Sequence, residues 1–117
     1  MSETTYDLFQ QGRERLRRGM AAQATVPLEK AKRREPRKAS IREALGIAYF
    51  RISRYAEAET EFRAILEISP VDDYAHYALG RCLDRLGRED EAQSHYRLAS
   101  FFRPGSDRYR ARLRSSG

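Results

Sequence analysis

Arg17, Arg51 and Arg85 recur at intervals of 34 residues, and a guanidinium repeated at fixed spacing suits recognition better than bond-making. Its planar fork of donors matches a carboxylate bidentately. Residues suited to bond-making chemistry lack partners. His76 and His95 are 19 apart, fall in different expected helices and have no Cys, Asp or Glu array at ligand spacing. Each therefore reads as structural or exposed, and no metal site is expected. Cys82 is the single cysteine. It excludes an internal disulfide and lies on an apolar stripe, the setting of a buried, inert thiol. Glu57 and Glu61 are four apart and read as neighbours on one helix surface, not as an acid–base couple. No phosphate loop, dinucleotide fingerprint or nucleophile elbow occurs. The chain reads as non-catalytic, with no cofactor.

The elements that position the arginines share their period. Gly12, Gly46 and Gly80 are 34 apart, as are Ala24, Ala58 and Ala92, and Pro36, Pro70 and Pro104. That period is one helix–turn–helix unit of an α-solenoid. The units are 5–38, 39–72 and 73–106. In the middle unit Ile41, Leu45, Ala48, Tyr49 and Ile52 form one apolar stripe, Ser53-Arg54 interrupts it, and Ala58, Phe62, Ile65, Leu66 and Ile68 form a second. The third unit repeats this with Leu79, Cys82, Leu83 and Leu86, then Gly87 as a positive-φ stop, then Ala92, Tyr96, Leu98 and Ala99. Asp72 or Asp73 suits the N-cap of its first helix. Gly46 with Ala58, and Gly80 with Ala92, are expected where paired helices approach most closely. Ser106 is expected to start a capping helix over 107–115, with Tyr109 and Leu113 covering the last apolar face.

This pattern resembles the tetratricopeptide repeat family. The middle unit carries Leu45-Gly46, Ala48-Tyr49, Tyr55, Ala58, Phe62 and Pro70. The third carries Leu79-Gly80, Gly87, Ala92, Tyr96, Ala99 and Pro104. The resemblance implies an all-α fold: one domain over 1–117, an α-solenoid of three tetratricopeptide helix–turn–helix repeats plus a short C-terminal capping helix. The first unit departs from the pattern, with Gln11 for Leu45 and Leu79, Arg15 for Tyr49 and Leu83, and Pro27 inside its second helix. That helix either restarts late over 27–35 with Thr25 as cap, or begins near Met20 and kinks. In the family the first helix of each unit lines a concave groove. Carried onto this chain, the groove holds Tyr6, Phe9, Arg13, Arg17, Ile47, Phe50, Arg51, Tyr74, Tyr77, Arg81 and Arg85, with Arg17, Arg51 and Arg85 as a ladder. The two-carboxylate clamp of some family members needs Lys, Asn and Arg. The matching places hold Phe9, Arg13, Ala44, Tyr74 and Ala78, and the chain has no Asn, so a clamp of that type is not expected.

The expected partner is a protein or peptide segment, acidic and compatible with aromatic contacts. The net charge of +6 supports an anionic partner, although 20 arginines against three lysines also fit a GC-rich coding bias. Lys30, Lys32, Arg33, Arg34, Arg37 and Lys38 form the densest basic run. A second reading is therefore a nucleic-acid- or ribosome-associated accessory protein. A third is a self-associating scaffold, a homo-oligomer in which the acidic Glu57, Glu59 and Glu61 surface meets a basic end. No apolar run long enough to span a membrane and no signal-peptide layout occur, so a cytoplasmic location is expected.

Overall fold

A computed structural model describes residues 3–115; residues 1, 2, 116 and 117, the outermost positions of the expected 1–117 domain, lie outside them. The described residues form α1 (Thr5–Arg17), α2 (Ala21–Arg34), α3 (Ala39–Arg51), α4 (Tyr55–Ile68), α5 (Asp73–Arg85), α6 (Glu89–Phe102) and α7 (Asp107–Arg110), with no strand among them. Each helix packs on the next, and the stack extends to 60 × 25 × 21 Å.

Starts and stops follow local chemistry. Thr4 and Asp7 form a reciprocal capping box at α1, the Asp7 amide donating to Thr4 Oγ1 at 3.0 Å and the Thr4 amide to Asp7 Oδ2 at 3.1 Å. Asp72, not Asp73, caps α5 by accepting from the Ala75 amide at 2.9 Å. The turns inside the three units are closed by Gly19 (φ 76°), Ser53 (φ 63°) and Gly87 (φ 78°), one residue per unit in left-handed geometry. In each turn the next amide reaches back to the helix that has just ended: Met20 to the Arg15 carbonyl (2.8 Å), Arg54 to Tyr49 (2.8 Å) and Arg88 to Leu83 (2.9 Å). Only Ser53 must hold that geometry with a Cβ, at a cost of about 1–2 kcal/mol.

Within each unit the bare glycine backbone receives a side chain from the second helix. A Cβ on Gly46 would stand 2.7 Å from Phe62 Cζ, and one on Gly80 would stand 2.5 Å from Tyr96 Cε1. Leu28 fills the same place against Gly12. The nearest neighbour of each of these glycines is thus a large side chain of the second helix. Ala24, Ala58 and Ala92 are fully buried one turn earlier on the second helices.

The first unit repairs its own irregularity. Helix α2 runs unbroken from Ala21 through Pro27 to Arg34. Thr25 does not cap a shortened helix over 27–35; its hydroxyl donates to the Ala22 carbonyl at 2.7 Å. Pro27 has no N–H, so the Gln23 carbonyl loses its intrahelical donor. Arg15 Nη1 donates to that carbonyl at 2.9 Å from α1. The two departures from the repeat pattern therefore answer each other.

Between units, ion pairs supplement apolar packing. The Glu61 side chain, 3% exposed, accepts from Lys32 Nζ at 3.0 Å and from Arg42 Nη1 at 2.9 Å. Lys32 also meets Glu29 at 3.1 Å, and the Tyr49 hydroxyl donates to Glu29 at 2.6 Å. These contacts tie α2, α3 and α4. Glu59 likewise accepts from Arg63 (2.9 Å) and Arg88 (3.0 Å), and Glu57 meets Arg54 at 3.4 Å. Each of the three glutamates expected to meet a basic end of a second copy thus has a cation partner within the chain. Lys32 likewise leaves the basic run to serve the interior.

The C-terminal cap is shorter than 107–115. Helix α7 is one turn, begun by Ser106 accepting from the Tyr109 amide at 3.2 Å. Tyr109 is buried and stacks on Tyr77 with ring centroids 5.0 Å apart. Its hydroxyl donates to Asp73 at 2.7 Å. Beyond the turn the chain is held by a side chain instead of helix bonds. Buried Gln93 donates to the Arg112 carbonyl at 2.8 Å and accepts from the Arg114 amide at 2.9 Å.

Two stability predictions follow from these contacts. Glu61→Ala leaves two cations without their buried partner and is expected to cost about 3–5 kcal/mol in urea unfolding. Arg15→Ala is expected to cost about 1 kcal/mol, but close to nothing in a Pro27→Ala background, where residue 27 regains its own donor. Additive effects in that double-mutant cycle would contradict the repair.

Candidate functional site

Helices α1, α3 and α5 supply the inner face because residues three and four apart share one side of a helix. Phe9, Arg13 and Leu16 share it on α1; Ser40, Glu43, Ala44 and Ile47 on α3; and Tyr74, Tyr77, Ala78 and Arg81 on α5. Two hollows form along this face and meet at Ile47. One, of about 230 Å³, lies between α3, α5 and α7 and adds Phe50, Arg51, Phe62 and Arg108 to its walls. The other, of about 390 Å³, lies between α1 and α3 and is lined by Phe9, Arg13, Leu16, Ser40, Glu43, Ala44 and Ile47.

The first hollow is cationic with an aromatic floor. Tyr77 is buried, and its hydroxyl accepts from Arg81 Nη1 and Arg108 Nε, each at 3.2 Å. Arg108 lies over the Tyr77 ring at 4.6 Å, and Arg81 over the Phe50 ring at 5.3 Å. Burial alone pushes the Tyr77 phenol up. The hydrogen bonds and charges of Arg81 and Arg108 outweigh it and hold the group below the usual phenol range. Tyr74 shows the opposite balance, raised chiefly by burial. The walls include three arginines and no carboxylate. Among the described residues, Arg51, Arg81 and Arg108 form no ion pair.

The second hollow is mixed. Arg13 lies over the Phe9 ring at 5.5 Å. Glu43 is partly buried, and burial first, then the Asp72 charge, raise its carboxyl above the usual range against the opposing pull of Arg13.

Nine of the eleven residues expected in the groove lie along or beside these hollows, and two do not. Phe9, Arg13, Ile47, Phe50, Arg51, Tyr74, Tyr77 and Arg81 line them. Arg85 stands at the edge, donating to the Tyr55 hydroxyl at 3.2 Å and lying 5.9 Å from the Phe50 ring centroid. Tyr6 is 68% exposed and lines neither of them; it borders a smaller hollow with Glu35 and Lys38 on the other side of Phe9. Arg17 pairs with Glu14 on its own helix. The three arginines of the expected ladder have different partners. Arg17 meets Glu14, Arg51 Nη1 donates to the Leu16 carbonyl at 2.9 Å, and Arg85 meets Tyr55. Arg108 was the omission. Its register holds the signal, because Tyr6, Ser40, Tyr74 and Arg108 occupy one position 34 residues apart.

The histidines are not isolated. His76 and His95 bring their Nδ1 atoms to 3.0 Å, with rings stacked at 5.3 Å and Phe102 against His76 at 5.7 Å. His76 Nε2 donates to the Pro70 carbonyl at 2.8 Å. In the neutral pair, that leaves His76 Nδ1 to accept and His95 Nδ1 to donate. Burial, then His76 and Arg63, lower the His95 pKa against a weaker pull from Glu91. Cys82 is fully buried, and burial pushes its thiol up to about 12. No group of three or more metal-capable side chains occurs among the described residues.

Paired helices with a large side chain seated on glycine, repeated every 34 residues along one inner face, define a helical-repeat binding scaffold. Tetratricopeptide repeat profiles match residues 9–73 and 53–115, and the chain belongs to that family. Superkiller complex protein 3 of Mus musculus is 30% identical over 90 residues, which is 77% of this chain and 6% of that protein. The chain thus spans a small fraction of that relative's length. Among solved structures, the first TPR of Spaghetti (RPAP3), bound to the HSP90 peptide SRMEEVD, superposes with a TM-score of 0.89 at 19% identity, covering 97% of this chain and 90% of that one. A crystal structure of MamA superposes with a TM-score of 0.91 at 24% identity, covering 94% and 64%. Repeats of this family are typically non-catalytic protein-interaction modules. No helix among the described residues is long and apolar enough to cross a membrane.

The histidine pair carries a pH prediction. Because the folded His95 pKa is lowered, the unfolded chain takes up the proton more readily. Stability is therefore present above the unfolded imidazole value of about 6.5 and is lost as pH falls through and below it. The urea midpoint is expected to be lower at about pH 5.5 than at about pH 7.5, and His95→Gln is expected to flatten that difference.

Proposed function

We propose that this chain is a non-catalytic interaction module whose concave groove binds an acidic peptide segment carrying aromatic or apolar anchors. The observation that carries the reading is the hollow of Arg51, Arg81 and Arg108, in which guanidiniums without carboxylate partners surround Phe50, Tyr74 and Tyr77. Arginine forks gain most from carboxylates, and a partly enclosed aromatic floor supplies anchor area. The neighbour that holds SRMEEVD accommodates an acid-rich peptide on the same fold. The clamp chemistry not expected from this sequence is not needed for the proposal. Here the cations stand on the middle unit, the third unit and the cap.

A second reading, nucleic-acid binding, draws on Lys30, Arg33, Arg37 and Lys38. They remain exposed and form no ion pair among the described residues. They flank the end of α2 and lie outside both groove hollows.

An NMR titration of the isotope-labelled protein tests the first reading, using a pool of eight-residue peptides built from Asp, Glu, Phe and Tyr. Saturable shifts are expected at the amides of Ile47, Phe50, Tyr74 and Tyr77. Joint Arg81→Glu and Arg108→Glu substitution is expected to weaken binding at least tenfold with the circular dichroism unchanged. An undiminished affinity would remove the groove assignment. Steeply salt-dependent binding of a single-stranded oligonucleotide, lost on charge reversal at Lys30, Arg33, Arg37 and Lys38, would favour the second reading.

A further inference from the structure

The groove's charge is not uniform, and Glu43 is the reason. It is the one carboxylate lining either of the two hollows that meet at Ile47. Among the described residues it makes neither a hydrogen bond nor an ion pair, although it is partly buried beside Phe9, Leu16 and Ala44. Glu67 and Glu89 on α4 and α6 likewise make neither, but both are exposed to water; the other acidic side chains between α3 and α6 behave differently. Glu57, Glu59, Glu61, Asp72, Asp73, Asp84, Asp90 and Glu91 are all engaged by a cation, a hydroxyl or a backbone amide. A half-enclosed carboxylate without a donor is an unfinished contact, because removing it from water without a partner is unfavourable.

We propose that Glu43 is a specificity-determining residue: the groove takes a segment whose acidic residues are confined to the Arg51–Arg81–Arg108 hollow and whose neighbouring stretch presents an uncharged hydrogen-bond donor, an amide or hydroxyl side chain, to Glu43. This rests on the reading of the groove as an acidic-peptide site. A ligand carboxylate over the second hollow would meet Glu43 as a like charge. A ligand ammonium there would meet Arg13 in the same hollow. A neutral donor meets neither objection and completes the Glu43 contact. The raised carboxyl of Glu43 agrees with a group that lacks donors. Spacing also follows from α3. Glu43 and Arg51 are eight residues apart, so their backbones are separated by about 12 Å along the helix. That is about four residues of extended peptide. The acidic positions and the amide or hydroxyl position of the ligand are therefore expected about four residues apart.

Two peptide pools of equal length test this by NMR titration and fluorescence anisotropy. Each has four Asp or Glu positions and an aromatic anchor. In the mixed pool the remaining positions are Asn, Gln or Ser; in the uniform pool they are Asp or Glu. The wild-type chain is expected to prefer the mixed pool by about tenfold despite its lower charge. Glu43→Gln, close to isosteric at a partly exposed position, is expected to erase that preference. Glu67→Gln makes the same charge change at an exposed position of α4 outside both hollows and is expected to retain it. Equal or tighter binding of the uniform pool by the wild type overturns the role of Glu43. A preference that survives Glu43→Gln does the same. Both results leave the acidic-peptide reading standing. Absence of saturable groove shifts with either pool removes that reading and this inference together.

Discussion

The constraint on which the structure depends is the absence of a side chain at one place in each unit. Gly46 and Gly80 let the Phe62 and Tyr96 rings lie directly on helix backbone, and Gly12 does so for Leu28. This contact sets how closely the two helices of a unit approach. It thereby sets how far the first helix stands from the outer layer, and so where its inner side chains point. The fully buried Ala24, Ala58 and Ala92 belong to the same constraint. With interhelical distance fixed this way, the left-handed Gly19, Ser53 and Gly87 need only reverse the chain.

Stacking of units has a different character. Glu61 with Lys32 and Arg42, and Glu59 with Arg63 and Arg88, place charge between layers that an apolar core would otherwise fill. Such pairs add little net stability relative to apolar packing but are costly to break. They also withdraw acids and bases from the surface. Much of the charge pattern visible along the chain is therefore internal bookkeeping between neighbours. The groove stands out because its guanidiniums at Arg81 and Arg108 contact aromatic rings and a phenol instead of carboxylates.

The C-terminal cap belongs to both architecture and site. Tyr109 closes the core by stacking on Tyr77, while the adjacent Arg108 lies over the same ring and walls the cationic hollow. One turn of helix is enough because Gln93 holds the following backbone from α6. A repeat protein must cover the apolar end of its last unit. In this chain the residues that do so also complete the groove.

By itself the sequence determined the repeat, the helix pairs and the stops, while the choice of inner face came from the family resemblance. The first three depend on local rules: three-and-four spacing of apolar residues, glycine at positive φ, caps, and small residues at fixed intervals. Tyr74, Tyr77 and Arg81 were legible as one face for that reason. Tertiary structure alone decided which polar groups are available. Arg17, Arg51 and Arg85 look equivalent along the chain, yet they meet Glu14, the Leu16 carbonyl and Tyr55. Pro27 looks like a helix breaker until Arg15 reaches the carbonyl it leaves open. His76 and His95, 19 residues apart, look unrelated until α5 and α6 bring their nitrogens to 3.0 Å. The physical reason is common to all three. A backbone period fixes direction and spacing, whereas a long polar side chain chooses its partner among atoms from other helices, and those atoms are assembled only when the helices pack.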